Sequence, residues 1–472
     1  MEKMNFEGRI LFIGFGSIGQ GVLPLILRHV DVSTKNINII TADDRGKEVA
    51  EKYGINFIIE PVTRENYLSL IPKYVGDGDF ILNLSVDVSS VALIEYCKDK
   101  NILYLDTVIE PWLGTYTDPG FPMSERTNYS LRESARALRS LDDAPTAVIA
   151  HGANPGVISH LIKEALINIS KDVGFDCVVP KTREGWAEFA KNLGVKVIHI
   201  AERDTQTSAV PKKRGEFINT WSVDGFYSEG SQPSEMGWGT HEKHFPEDGR
   251  THEKGCKSAI YLEQPGLMTR VRSWTPLEGP YHGFIITHNE SISIADYFTE
   301  RGENGEPVYR PTVHYAYHPC DGAILSLHEV AGNNGELQEN HRLITDEITD
   351  GIDELGVLIM GHKKNAYWYG SRLSIDEARK LIPHNSATSL QVTAAVLGGF
   401  IWALENPKMG VVDADEMDYE RILEIARPYL GKIVGEYTSW TPLEKRKKED
   451  LPLFPQEVDE SDPWQFKNFR VS

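Results

Sequence analysis

The sequence predicts an α/β protein: an N-terminal Rossmann-type, doubly wound parallel sheet followed by a second, α+β domain for substrate binding and dimerisation. Three observations carry that prediction. Residues 1–150 alternate short apolar runs with helix-like segments, a Gly-x-Gly-x-x-Gly pattern stands at the first of these junctions, and the alternation loses its regularity near residue 150. Near-continuous apolar strands separated by helices imply a parallel sheet covered on both faces.

In chain order, "RILFIGFG" reads as the first strand, followed by a helix with Val22, Leu25 and Ile26 on its apolar side. "INIITADD", "INFIIE", "DFILNLS" and "ILYLDTV" supply further strands, with helical segments in "VAEKYG" and around residues 67–74 and 88–99. "TAVIAHGANPG" at 146–156 ends in a Gly/Asn/Pro turn and places the domain boundary near 150. Residues 180–330 hold strand-like pieces ("VKVIHIAERD", "GFIITHNESISIADYF", "PTVHYAYHP") among aromatic-rich loops, so residues 151–380 are expected to form the α+β domain. "SATSLQVTAAVLGGFIWALENP" at 386–407 has the length and apolar content of a buried helix, with Ser386 or Thr388 as its N-cap. Residues 431–472, rich in Pro, charge and aromatics, read as an extended tail over a surface.

A chain of 472 residues exceeds the size at which one core stops growing, so two or three domains are expected. The net charge of -20 disfavours nucleic acid and anionic membranes and suits cationic partners. Cys97, Cys177, Cys256 and Cys320 lie far apart with no C-x-x-C spacing, which argues against a disulfide framework or a zinc site and for a reducing cytoplasm. The first residues enter a strand with no leader pattern, and no run approaches the roughly 20 apolar residues that span a bilayer.

Gly14, Gly16 and Gly19 follow a strand and open a helix, the context in which this spacing binds a dinucleotide. Gly14 permits the tight turn, Gly16 lets the backbone approach a pyrophosphate, and Gly19 lets helix and strand pack closely. Ser17 and Ile18 lie between them at the helix N-terminus. Asp43 ends the second strand and suits a ribose 2′-hydroxyl, so NAD is expected rather than NADP, with Arg45 nearby as a contrary sign. Asn83, Ser85 and Thr107, at later strand ends, would face the nicotinamide half.

Acids gather at the same strand ends: Asp87, Glu110, Glu202, Glu229 and Glu290, a set suited to an extended molecule with a positive charge at each end. "NTWSVDGFYSEGSQPSEMGWGTHEKH" at 219–244 adds Trp221, whose ring face attracts cations, beside Asp224. The bland reading of Trp221 is a packing anchor. His288, next to Asn289 and Glu290, can move protons near neutral pH. "HEKH" and "HYAYH" differ from the H-E-x-x-H motif, so no metal is expected. No Gly-x-Ser-x-Gly elbow is present.

"FIGFGSIGQGVLPLI", "LNLSVDVSS", "YLDTVIEPW", "AHGANPGVIS", "HIAERDTQ", "NTWSVDGFYSEG", "THNESISIADYF" and "PLFPQEVDESDPWQFKNF" together resemble the bacterial homospermidine synthases of the saccharopine dehydrogenase-like group. The resemblance covers essentially the whole chain. It implies a cytoplasmic homodimer with tightly held NAD that makes homospermidine from putrescine, and also uses spermidine, returning the hydride within one cycle. It also implies a helix within 380–430 that returns to the first domain. It places the cation-binding tryptophan at Trp221, pocket carboxylates at Asp87, Glu110, Glu202 and Glu229, the interdomain-turn asparagine at Asn154, and the His-x-Glu element at His288 and Glu290. Asn154 is expected to serve both cofactor and chemistry. The base is His288 first and Glu202 second.

Two rival readings remain at this point. One is a net saccharopine or carboxynorspermidine dehydrogenase, whose carboxylate substrates would call on Arg203 or Arg270. The other is an NAD-binding sensor without turnover.

Overall fold

The computed structural model describes residues 3–118, 120–139, 143–175, 178–446 and 457–471, so Cys177 lies outside the described residues. Seven parallel strands form the first sheet, in spatial order Val411–Asp413, Ala147–Ile149, Leu103–Asp106, Phe80–Asn83, Ile10–Ile13, Ile37–Thr41 and Asn56–Ile59. Every residue of Ile10–Ile13, Phe80–Asn83 and Leu103–Asp106 is buried, which is why these strands read as unbroken apolar runs. The chain order reverses between Ile10–Ile13 and Phe80–Asn83. In an open parallel sheet, that switch point is where a crevice opens at the carboxyl ends of the strands.

The second sheet has eleven strands of mixed direction. At its centre Val197–Asp204 runs parallel to Thr312–His318 on one side and antiparallel to Ile352–Met360 on the other. All eight residues of Val197–Asp204 are buried, polar ones included. At its carboxyl end Glu202 meets Asn154 and Asp204 meets Thr220.

The apolar helix Ala387–Glu405 is capped by Ser386, whose hydroxyl accepts from the Ser389 amide. It packs on helix Ser17–His29, on Leu103–Asp106 and on the second sheet, and so lies between the two domains. A Cβ on Gly399 would stand 2.8 Å from both His151 and Leu105, so only glycine permits this approach. By length and composition it is the one helix among the described residues that could cross a bilayer, contrary to the expectation that no run comes near that length. Its burial is that of a core helix.

The expected extended tail is corrected in part. Lys432–Thr438 pairs with Ala366–Ser374, and Arg470–Val471 pairs with Arg270–Thr275. Trp440, Trp464, Phe466 and Phe469 are buried against Ala201, Ala316 and Trp368 on the face of the second sheet away from the crevice. Those aromatics remove a wide apolar surface from water, which outweighs the polar composition around them.

A buried ion network joins the domains. Arg132 donates to both Asp413 oxygens (3.2 and 2.8 Å) and to Asp296 (3.0 Å), Arg136 also holds Asp413, and Arg183 holds Asp296 at 2.7 Å. Burial alone would raise the Asp296 carboxyl, but Arg132 and Arg183 hold it down at about 2. Asp413 ends the edge strand of the first sheet. Asp296 lies in helix Asn289–Tyr297 of the second domain, the helix that opens with His288 and Glu290.

Candidate active site

A crevice of about 1320 Å³ opens at the switch point, lined by Gly14, Gly16, Ser17, Ile18, Asp43, Arg45, Ser85 and Asp87, and from the second domain by Ser222, Asp224 and His341. Gly14 has φ of 82°, and a Cβ there would meet Leu84 and Ser85 at 2.8 Å. A Cβ on Gly16 would project into open space, and no side chain caps helix Ser17–His29. The helix N-terminus is therefore free to meet an anion at close range. Gly19 is buried and packs beneath Phe15. The Asp43 carboxylate accepts from Arg45 Nε at 2.7 Å and from its amide at 2.9 Å, which holds it ionised and occupies the arginine. These residues fit a dinucleotide whose ribose meets an acid.

Three further expected cofactor residues make contacts within the protein. Asn83 is buried, accepts from Ser85 Oγ at 2.6 Å and donates to the Tyr104 hydroxyl at 3.1 Å, so it shapes the loop bearing Ser85. Thr107 lies with its methyl 3.7 Å from where a Cβ on Gly152 would stand, against the interdomain turn. Asn154 turns its amide to Glu202 at 2.7 Å, on the substrate side. The side-chain amides of Asn83 and Asn154 are satisfied by polar partners within the protein, as burial requires.

The other expected residues converge. Glu202 accepts from Asn154 and from the Tyr315 hydroxyl. Burial raises its carboxyl, these two donors lower it, and it settles at about 7. The Tyr315 ring lies 4.5 Å from that of His288. His288 Nε2 meets Glu229 at 3.0 Å and its Nδ1 meets Glu290 at 3.1 Å. Burial disfavours the imidazolium, but Glu290 and Glu229 overcome it and raise His288 to about 10. Both ring nitrogens face carboxylates, an arrangement that favours the imidazolium and leaves His288, the first choice of base, without a free lone pair. The second oxygen of Glu290 is buried with no protein partner, an acceptor open to a cationic ligand.

Glu110 is buried at the end of Leu103–Asp106, where burial and the neighbouring Asp87 and Glu229 push it up to about 8. Burial and Asp224 likewise raise Asp87, which has φ of 63° in the left-handed region. Asp87 and Asp224 also line a side cavity of about 420 Å³ with Tyr116, Tyr227, Gln232 and Glu263. Trp221 donates its indole N–H to Tyr317 at 2.9 Å. Arg203 is turned to the Asp204 carbonyl, Glu278 and Asp321, and Arg270 lies over the Phe284 ring.

Tyr315 and Tyr317 were absent from the sequence reading. "TVHYAYH" forms a strand, and its two-residue period puts both phenols on one face, beside Glu202 on the adjacent strand. That alternation was the available signal. In the two histidine-rich stretches, His241 meets the Trp464 carbonyl, His244 meets Asp459, and His314 meets the Tyr315 carbonyl.

Residues 10–149 match the family model described as Saccharopine dehydrogenase NADP binding domain, and residues 152–438 match Saccharopine dehydrogenase C-terminal domain. The chain is similar to the homospermidine synthase of Blastochloris viridis, 53% identical over 472 residues, covering 99% of this chain and 98% of that relative. It is 51% identical to the homospermidine synthase of Mesorhizobium japonicum, covering 99% of this chain and 97% of that relative. Among solved structures it is similar to the homospermidine synthase of Legionella pneumophila in complex with NAD, with 48% identity, a TM-score of 0.93, and coverage of 100% of this chain and 99% of that one. Apo saccharopine dehydrogenase (L-Glu forming) of Saccharomyces cerevisiae shares the fold at 11% identity and a TM-score of 0.52, over 92% of this chain and 100% of that one. The chain belongs to the saccharopine dehydrogenase-like group and, within it, to the homospermidine synthase family.

Proposed function

We propose that this chain joins two putrescines into homospermidine with release of ammonia, using NAD, with spermidine as an alternative donor. It is an NAD-dependent aminobutyl transferase. The observation that carries the reading is a group of carboxylates, the buried Glu110, Glu202 and Glu290 with the half-buried Glu229, around one histidine beside the crevice. Such a group selects cations, because an ammonium restores the charge that burial suppresses on Glu110 and Glu202. Arg203 and Arg270, which a carboxylate substrate would need, are engaged elsewhere, and this disfavours net saccharopine-type oxidation.

Bound NAD supplies the oxidation of the amine carbon and the later reduction of the new imine. Glu202 takes the proton that an aliphatic ammonium, of pKa about 10, must lose before its carbon can be oxidised. Asn154 and Tyr315 keep that carboxylate aimed. His288, held as a cation, keeps Glu229 and Glu290 in place, and the second oxygen of Glu290 takes the remote ammonium of the diamine as it enters, with Glu229 beside it. Glu110 and Asp87 hold the charge of the second amine, and the Trp221 ring meets the cationic intermediate. Enclosure between the domains limits hydrolysis of the imine.

Incubated with putrescine and NAD, the purified protein is expected to yield homospermidine and ammonia in equal amounts, read by mass spectrometry. No stoichiometric rise in NADH absorbance should accompany it. Growth of NADH matched to amine consumed identifies a dehydrogenase instead, and NAD binding without amine turnover identifies a sensor. For the cofactor, Asp43 motivates binding of NAD at least about tenfold tighter than NADP, a difference of about 1.4 kcal/mol. Equal affinity in calorimetry removes the role given to Asp43.

The net charge and the free thiols of Cys97, Cys256 and Cys320 favour a reducing cytoplasm and a partner set without nucleic acid or membrane. A homodimer follows from the family resemblance, and light scattering reads it directly.

A further inference from the structure

We propose that Tyr317 is a positioning residue for Trp221: its hydroxyl fixes the plane of the indole that meets the substrate's cation. The proposal rests on the reading of Trp221 given above and adds what makes that ring directional. A cation is attracted only to the ring face, within about 6 Å of the centroid, so a ring free to turn presents its edge as often as its face. The Cβ–Cγ torsion of a tryptophan is broad and close to two-fold, and packing alone resolves it poorly. The indole has a single N–H, so one hydrogen bond chooses between the flipped orientations.

The partner of that N–H is well placed to choose. Tyr317 Oη lies 2.9 Å from Trp221 Nε1. Its side chain is buried on the central strand Thr312–His318, and its ring is stacked on Tyr315 at 5.1 Å with 8° between planes. Tyr315 in turn holds Glu202, so one pair of stacked rings on one strand sets both the carboxylate and the indole. Phe226 touches Trp221 at 5.5 Å and Tyr317 at 5.6 Å, closing the packing around the bond. Burial and the charges of Glu202, Asp204 and Asp353 keep the Tyr317 phenol neutral, so it accepts the indole proton across the working pH range.

The backbone beside Trp221 is anchored separately. The Thr220 hydroxyl donates to Asp204 at 2.7 Å, and Ser386 donates to the Thr220 carbonyl at 3.3 Å. Removing the Tyr317 hydroxyl therefore leaves residue 221 in place and frees only its side-chain torsion.

The test is a double-mutant cycle between Tyr317→Phe and Trp221→Phe, which separates action through the indole from independent effects. Phenylalanine at 317 keeps the stacked ring, and unchanged melting and NAD binding check the fold. Tyr317→Phe is expected to lower kcat for homospermidine formation about tenfold while putrescine KM changes less than twofold. In the Trp221→Phe background the same substitution is expected to change kcat less than twofold, because the ring that remains has no N–H to orient. Full kcat in Tyr317→Phe, or the same tenfold loss in both backgrounds, overturns the proposal. A parent chain that makes no homospermidine removes the function reading and this proposal together, whereas an active parent with additive variants removes this one alone.

Discussion

Glu202→Gln is expected to lower the rate of homospermidine formation about a thousandfold, the middle of the range that a positioned general base contributes. The substitution is nearly isosteric. A glutamine carbonyl can still accept from Asn154 and Tyr315, so the donors that frame the site keep a partner. What is lost is the ability to take a proton. In the parent enzyme, kcat/KM should rise with pH through about 7, because burial lifts Glu202 to that value and only its ionised form is a base. Glu110, lifted to about 8, broadens the same limb, and the apparent value belongs to the carboxylates as a set. Tyr315→Phe removes one of the two bonds that lower Glu202, so the limb should move to higher pH. A Glu202→Gln enzyme that folds, binds NAD and turns over within tenfold of the parent would falsify the assignment of the base.

Arg132→Met should cost about 3 kcal/mol of stability, the low end of the range for breaking a buried pair. The guanidinium is fully buried and is shared by Asp413 and Asp296, carboxylates from opposite domains. Methionine fills much of the volume but strands both acids from their common partner. The loss stays at the low end because Arg136 still meets Asp413 and Arg183 still meets Asp296. For domains of this size the expected fall in melting temperature is about 6–12 °C. Calorimetry should also show the two domains melting less cooperatively. A shift under 2 °C would mean that the neighbouring arginines carry the network by themselves.

Much of the first domain was legible because its strands are buried on both faces and so appear as apolar runs, and because Gly14, Gly16 and Gly19 stand directly after a strand and open a helix. The strand Val411–Asp413 was not legible: three residues carry no period, and their place at the sheet edge depends on contacts 262 residues or more away in sequence. Asp87, Glu110, Glu229 and Trp221 were singled out from the acids at strand ends and the aromatic 219–244 stretch, and the family resemblance then suggested their roles; the charge states of the acids were not legible, since those follow from burial and from neighbours brought in from other elements. His288 illustrates the gap. Its sequence neighbour Glu290 was visible, but Glu229, from a different helix, completes the clamp that makes the ring a cation. The tail was misread because Pro and charge between 441 and 463 masked three aromatics that face inward at 464–469.

The late edge strand also bears on how the chain is made. Ala147–Ile149 leaves the ribosome with its outer hydrogen-bonding side unmatched, and its neighbour Val411–Asp413 is synthesised about 260 residues afterwards. At about 5–20 residues per second, the nascent first domain waits roughly 13–50 s with an open sheet edge and with Arg132 lacking its main carboxylate. An unpaired edge of that kind is a template for pairing with other chains. Yield during rapid overexpression should therefore depend on translation speed and on holdase chaperones more than the melting point of the finished protein would suggest.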